Sequence, residues 1–168
     1  MALVLRRIAV VRHAKSDWAA GVETDHARPL NDRGRREAPE LARLLRARGW
    51  APRVVLSSDA ERTKETWAAM APELPEPGNV VLFDSLYHAG RDAALEALAI
   101  LKDDEETDGG RGVVYLVGHN PGWEEMVSDV SGVSVTMKTA TAALLEAEAE
   151  SYRDALAGRM KLVGIVSP

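Results

Sequence analysis

Short aliphatic runs alternate along the chain with segments in which apolar residues recur at helical spacing. The runs are residues 4–11 (VLRRIAVV), 53–57 (RVVLS), 80–83 (VVLF) and 112–117 (GVVYLV). Nearly continuous apolar runs of this length are typical of strands that are buried on both faces of a parallel sheet. The pattern therefore predicts an α/β fold, a three-layer sandwich with a mostly parallel central sheet flanked by helices.

Helical segments separate these runs. Asn31 is expected to cap a helix that continues to about Arg48 and ends at Gly49. Leu41, Leu44 and Leu45 would lie on the buried side of this helix, and Pro39 predicts a kink or a late start. Further helices are expected over residues 60–70, 91–102 and 121–130, capped in the first case by Ser58 or Asp59 and in the last by Asn120.

The C-terminal part predicts two closing strands, residues 141–147 and 160–166, joined as a hairpin around Tyr152. The acidic stretch 103–112 (DDEETDGGRG) is expected to form a solvated turn. Because this turn is too short to separate domains, one domain is expected over residues 1–168.

Composition narrows the function. A net charge of −5 gives no support to a nucleic-acid or membrane binder, because both partners favour a basic face. The absence of cysteine excludes disulfides and thiolate chemistry. The N-terminal run lacks the features of a signal peptide and no apolar run reaches the roughly 20 residues that span a bilayer, so a cytoplasmic location is expected.

Polar residues follow three of the predicted strands. Arg12 and His13 follow the first, Arg62 lies in the first helical turn after the second, and His119 follows the fourth. Taken singly, each is explained as a hydrogen-bonded structural histidine or a surface cation. Ligands of open parallel sheets bind beyond the carboxyl ends of the strands. The coincidence of these residues at one edge therefore predicts a shared pocket.

Two guanidinium groups suit a tetrahedral oxyanion such as a phosphoryl group. A neutral imidazole beside them can attack phosphorus and carry the group covalently, because cationic surroundings depress its pKa. A second, protonated imidazole would stabilise the charge of the transferring group. The residues thus indicate phosphoryl chemistry.

The phrases RHAKSDW, RPLNDRG, SSDAERTKET, SLYHAG and VGHNP resemble, in this order, the histidine phosphatase (phosphoglycerate mutase-like) superfamily, and its SixA-type phosphohistidine phosphatase branch in particular. The resemblance covers nearly the whole chain. It implies the phosphoglycerate mutase-like fold and makes His13 the nucleophile. Arg12, Arg62 and His119 would complete the phosphate pocket. It implies a phosphatase acting on phosphohistidine of a protein.

The resemblance leaves two contacts open. Ala19 stands where the mutase branch usually has asparagine, which argues against a mutase. Ser16 is a candidate substrate contact, although its hydroxyl also suits a turn that orders the loop.

Hydrolysis of an alkyl phosphate needs a proton donor for the leaving oxygen. Asp84, His88 and Asp17 are the candidates, and none has a firm motif. A weak acid matters less for phosphohistidine, because protonated imidazole leaves easily. A small phosphorylated metabolite remains the alternative substrate.

Several other residues near the predicted pocket have structural explanations. His26 and Arg28 are expected to lie in a solvated loop. Trp18 and Trp123 suit either the rim of the pocket or the core.

Three other classes compete with a phosphatase. A non-catalytic phosphate-binding module would keep the arginines but has no need of both His13 and His119. A metal-dependent hydrolase lacks an HExxH pattern, and arginines beside the histidines would repel a cation. A nucleotide-binding domain lacks its glycine-rich loops. No metal or other cofactor is expected.

Overall fold

The computed structural model describes residues 3–75, 79–101 and 112–168. Within these residues the strands are β1 (Val4–Arg12), β2 (Pro52–Ser58), β3 (Asn79–Phe83), β4 (Val113–Gly118), β5 (Ala142–Ala149) and β6 (Lys161–Val166). They form one sheet in the order β3-β2-β4-β1-β5-β6. The strands β3, β2, β4 and β1 pair in parallel with one another. In contrast, β5 pairs antiparallel with β1, and β6 pairs antiparallel with β5. The predicted mostly parallel sheet is confirmed.

Helices cover both faces of this sheet. They are α1 (Asp32–Ala47), α2 (Glu61–Met70), α3 (Arg91–Leu98), α4 (Gly122–Ser131) and α5 (Tyr152–Ala157). Side chains alternate between the two faces along β1. Ile8 and Val10 pack with α3, α4 and α5, and Ala9 and Val11 pack with α1 and α2. Residues 8–11 are fully buried between the two helical layers, which explains why all four are apolar, and the three-layer prediction is confirmed.

The first predicted helix is largely confirmed. The Asn31 side chain accepts a hydrogen bond from the Gly34 amide and caps α1. Pro39 lies inside α1, so the late start was wrong. Leu41 and Leu45 are fully buried, but Leu44 is 36% exposed because it lies beyond the edge of the buried face.

Other predicted helix ends differ from the structure. The N-cap of α2 is Ala60 rather than Ser58 or Asp59. The Ser58 hydroxyl lies at the end of β2 and accepts a hydrogen bond from the Ala60 amide, before the helix begins. The N-cap of α4 is Pro121, after a cis peptide bond, and the Asn120 amide donates instead to the Met137 oxygen and to Glu124.

The connections near the C-terminus differ in part from the prediction. The helix α3 ends at Leu98, and the predicted turn from residue 103 lies outside the described residues except for its last position. The strands β5 and β6 pair as expected, but they are joined by the helix α5, which Ser151 caps, and not by a tight turn around Tyr152.

The segment after β1 is tied to the segment before α1. The Asp17 amide donates to the Pro29 oxygen and the Asn31 amide to the Lys15 oxygen. A Cβ at Gly34 would lie 2.2 Å from the Lys15 oxygen, so the helix and the loop approach too closely for a side chain. The RHAKSDW and RPLNDRG phrases are therefore adjacent in space.

In the described part of the chain, no helix combines the length and the apolar character needed to cross a bilayer.

Candidate active site

The predicted convergence of strand ends is present. Because β4 lies between β1 and β2 and all three are parallel, their carboxyl ends meet at one edge. The His13 amide donates to the Gly118 oxygen at 3.1 Å, and the imidazole rings of His13 and His119 lie 5.3 Å apart, centroid to centroid. Arg62 reaches the same place from the first turn of α2.

These side chains line a pocket of about 350 Å³. All four residues predicted for the phosphate site are in its wall, together with Ser16 and His88 from the wider candidate set. The wall also includes residues that the sequence analysis did not assign to the site: Lys15, Trp18, Asp25, Arg28, Asn120 and Thr139.

The hydrogen bond of His13 fixes the tautomer of its ring. Nδ1 lies 2.7 Å from the backbone oxygen of Ala14. A carbonyl oxygen only accepts, so Nδ1 donates, and the lone pair of the neutral ring is on Nε2. The pKa of His13 is lowered to about 3, first by burial and then by the charges of Arg62, Arg12 and Arg28, although the bond to Ala14 opposes the shift. The imidazole is therefore a neutral base at pH 7.

The His119 ring is also neutral at pH 7, and its protonation beside a transferring phosphoryl group stays a prediction. Burial, followed by His13, Arg62 and His88, lowers the pKa of His119 to about 2. The Nε2 atom shares a hydrogen bond of 2.9 Å with the Ser58 hydroxyl. Nδ1 is buried and has no hydrogen-bond partner among the described residues. His119 therefore keeps one ring nitrogen for a ligand.

The two predicted arginines are anchored and still have donors to spare. Arg62 is 2% exposed and donates to Asp25 twice, from Nη1 to the backbone oxygen at 2.9 Å and from Nη2 to Oδ2 at 3.1 Å. Arg12 donates from Nη1 to the Met137 oxygen at 2.9 Å. The Nε atoms of both are buried without a partner in the described part of the structure. Buried donors in this state suit an oxyanion ligand.

Asp25 and Arg28 were not predicted as site residues. Arg28 was expected in a solvated loop but is 7% exposed, because its guanidinium is enclosed by hydrogen bonds. Nε and Nη2 donate to Asp25 Oδ1 at 3.2 and 2.8 Å, and Nη1 donates to the Ser16 hydroxyl. The Ser16 hydroxyl therefore orders the loop through the Arg28 side chain and not through the local turn that was expected.

Asp25 joins the two sides of the pocket. Its Oδ2 atom accepts from Arg62 and from the Tyr87 hydroxyl. Burial acts to raise the pKa of Asp25, but the hydrogen bonds from Tyr87 and Arg28 and the charges of Arg62 and Arg28 outweigh it, and the pKa lies well below its usual range. Asp25 is therefore an ionised link between the cations. Its acidic side chain, three residues before Arg28, was the available sequence signal.

Of the three proton-donor candidates, His88 is the one that lines the pocket. Its Nε2 atom lies 3.5 Å from Asp25 Oδ2, and its ring centroid is 5.6 Å from that of His119. Asp84 is exposed and does not line the pocket. Asp17 is likewise outside the lining, and its Oδ1 atom accepts from the Ala19 amide at 2.8 Å.

The remaining residues named from the sequence divide between rim and core. Trp18 is 75% exposed at the mouth of the pocket, whereas Trp123 is fully buried in α4. A Cβ at Gly118 would lie 2.7 Å from the Trp123 ring, which explains the glycine directly before His119. His26 does not line the pocket and instead pairs with Asp59, with Nε2 at 2.8 Å from Oδ1.

Comparisons with known proteins agree with this geometry. Residues 8–86 match the model of the histidine phosphatase superfamily (branch 1). An uncharacterized chloroplastic protein of Arabidopsis thaliana is 38% identical over 98% of this chain and 79% of its own length.

Two solved structures are similar over almost their whole length. Both are candidate phosphohistidine phosphatases named SixA. The protein from Agrobacterium tumefaciens has a TM-score of 0.75 and 28% identity, covering 97% of this chain and 98% of that one. The protein from Nakamurella multipartitia has a TM-score of 0.81 and 26% identity, covering 100% and 99%.

Proposed function

Because the chain belongs to the histidine phosphatase superfamily and is of the SixA type, we propose that it removes the phosphoryl group from phosphohistidine on a protein, through a covalent intermediate on His13. The protein is a phosphatase. The substrate and the covalent route are the finer parts of the proposal, and the names of the two SixA structures support the substrate.

The observation that carries the covalent route is the state of His13. Its buried ring donates from Nδ1 to Ala14, which leaves the lone pair of Nε2 for attack. In the first step, Nε2 forms a bond to phosphorus while the bond between phosphorus and the leaving nitrogen breaks. In the second step, water attacks phosphorus, the bond to Nε2 breaks, and inorganic phosphate leaves.

The charges on the transferring group have partners in both steps. Arg12 and Arg62 line the pocket and each keeps an unpaired, buried Nε–H donor. His119 offers Nδ1 as a further donor, in the tautomer in which the Ser58 hydroxyl donates to Nε2. Donors that are fixed before the reaction stabilise developing charge without reorganising, and in phosphoryl transfer such positioning and charge stabilisation provide most of the catalysis.

The leaving imidazole takes up a proton, and His88 is the residue we assign to deliver it. In the second step His88 takes a proton back from the attacking water. His88 lines the pocket, and its Nε2 atom is 3.5 Å from the ionised Asp25, so a protonated ring has a carboxylate partner. A P–N bond breaks easily once the leaving nitrogen is protonated, so a single exposed histidine suffices. An alkyl phosphate would demand a stronger acid, since an alkoxide is a poor leaving group.

The remaining parts of the proposal concern metal and location. Arg12, Arg28 and Arg62 surround the reacting position, and their charge opposes a bound cation, so the activity is proposed to be metal-independent. The reaction is proposed to take place in the cytoplasm. The chain has no cysteine, so it forms no disulfides and does not need an oxidising compartment to fold.

The test compares substrates with one enzyme. Purified protein is offered a phosphohistidine protein, phosphoramidate and simple alkyl phosphates, and His13→Ala serves as the control variant. We expect faster turnover of the P–N substrates, and phosphate binding without turnover in His13→Ala. A clear preference for alkyl phosphates would favour the small-molecule alternative. Binding without turnover in the wild type would make the protein a phosphate-binding module.

A further inference from the structure

At the mouth of the pocket Trp18 stacks on Arg28, and the proposed reaction gives Trp18 no role. The Arg28 guanidinium carbon lies 3.6 Å from the centroid of the Trp18 ring, and both residues line the pocket. Trp18 nevertheless remains 75% exposed. An exposed indole leaves a large apolar face uncovered, and at a pocket mouth that face is available to a ligand.

The pair is held in position from both sides. Arg28 is fixed by Asp25 and Ser16, which take its donors. On the chain around Trp18, the Asp17 amide donates to the Pro29 oxygen at 2.8 Å and Asp17 Oδ1 accepts from the Ala19 amide at 2.8 Å. The backbone that carries Trp18 is therefore ordered, and the indole has a planar cation against one face.

The geometry of a phosphorylated ring matches this arrangement. A phosphorus atom on a ring nitrogen lies in the plane of the ring. When the phosphoryl group is within reach of His13, the ring that carries it extends outward to the mouth, where Trp18 lies. A flat ring has a π face that can stack on the indole, whereas a tetrahedral alkyl carbon has none.

We propose that the Trp18–Arg28 pair is a stacking platform for the ring of the phosphorylated side chain, and that Trp18 is a specificity-determining residue. The identity of that ring as imidazole rests on the proposed function. The selection of flat over aliphatic leaving groups does not, because it follows from the exposed indole alone.

The experiment measures how Trp18→Ala changes kcat/KM for two P–N substrates, phosphoimidazole with a ring and phosphoramidate without one. Each variant is compared with the wild type on the same substrate, so differences in leaving-group chemistry cancel. Trp18→Phe keeps a flat ring. Val22→Ala is the matched control, because Val22 is 43% exposed in the same loop and does not line the pocket.

Trp18→Ala is expected to lower kcat/KM for phosphoimidazole by about three- to tenfold, mainly through KM, the range of one aromatic stacking contact. Phosphoramidate should change by less than about twofold, and Trp18→Phe should recover most of the loss. Val22→Ala should match the wild type. Equal losses on both substrates would reduce Trp18 to a loop-ordering residue and overturn the inference, as would no loss on either.

Failure of the proposed function would look different. The wild-type enzyme would then hydrolyse phosphate esters but not phosphoimidazole. In that case, phenyl phosphate and ethyl phosphate form the ring and non-ring pair, and the same criterion applies. A selective loss on phenyl phosphate supports the platform, and an equal loss or no loss overturns it.

Discussion

Asp25 accepts hydrogen bonds from Arg62 through both its own backbone oxygen and its own carboxylate. The Arg62 Nη1 and Nη2 atoms donate to the backbone oxygen and to Oδ2, at 2.9 and 3.1 Å. The same carboxylate binds Arg28 through Oδ1, so one loop residue orients two cations of the pocket. The arrangement presets the anion site before a phosphoryl group arrives, which lowers the cost of ordering it.

Replacing Asp25 by asparagine tests this role. Asp25→Asn removes the charge from the hydrogen bonds to Arg62 and Arg28, which are worth more than neutral ones. We expect kcat to fall about tenfold, on the order of the loss of one charge-assisted bond. Steady-state kinetics on phosphoramidate measure it. Asp59→Asn is the control, because Asp59 pairs with His26 outside the pocket wall. Equal effects of the two variants would contradict the role.

The buried imidazole of His13 makes stability depend on pH. Its pKa of about 3 in the folded protein is below the 6.5 of an unperturbed ring, chiefly because of burial. The unfolded chain therefore binds the extra proton first, and the free energy of unfolding falls as pH drops from about 6.5 towards 3. His119 acts with the same sign.

Substituting His13 should flatten this dependence. Between about pH 5.5 and 4.5, we expect the slope for His13→Gln to be smaller than that of the wild type by up to about 1.4 kcal/mol per pH unit, since one titrating group is gone. Urea unfolding at a series of pH values measures both slopes. Parallel curves would mean that His13 titrates normally in the folded protein.

The close approach at Gly34 predicts a loss of stability on substitution. A Cβ there would lie 2.2 Å from the Lys15 oxygen, so Gly34→Ala forces α1 away from the loop after β1. We expect the free energy of unfolding to fall by about 1–3 kcal/mol, as in other overpacked sites. Gly90→Ala is the control, because a Cβ at that position would meet nothing within 4 Å. Gly90 is the N-cap of α3, where alanine is less favourable than glycine, so a loss of no more than about 1 kcal/mol is expected. Similar losses in both would contradict the packing explanation.

The positive pocket predicts that activity does not need a metal. Three guanidinium groups, those of Arg12, Arg28 and Arg62, line it, and Asp25 is already bound by two of them. Protein dialysed against a chelator should keep its full turnover of phosphoramidate, and added Mg²⁺ or Zn²⁺ should not raise it. Loss of activity that a divalent ion restores would refute this.

The strand-end rule explains how far the sequence could predict the site. His13 and His119 directly follow buried strands, and Arg62 follows another by four residues, so parallel pairing alone brings them together. The family phrases added the same residues independently. The sheet was predictable for a similar reason, since each of its buried strands is apolar at nearly every position.

The sequence did not predict Asp25 and Arg28 as site residues, because a loop has no periodic pattern that would show where its side chains lie. Their contacts depend on how the segment before α1 folds back onto Arg62, across a sequence separation of 37 residues. Helix caps also failed locally. Asparagine is a residue type that favours N-caps, but the Asn120 side-chain amide donates instead to the Met137 oxygen, which is distant in sequence. Trp18 and Trp123 are chemically alike, and the packing of α4 against the sheet alone decides which is buried.

The most direct measurement is to trap the phosphoryl group on the enzyme. Wild-type protein is mixed with a phosphohistidine protein or phosphoramidate carrying labelled phosphate, quenched within the first turnovers in alkali, and mapped by peptide. We expect label on His13 that is stable in alkali and lost in acid, and none in His13→Ala. Turnover at the wild-type rate by His13→Ala, or label on another residue, would contradict it.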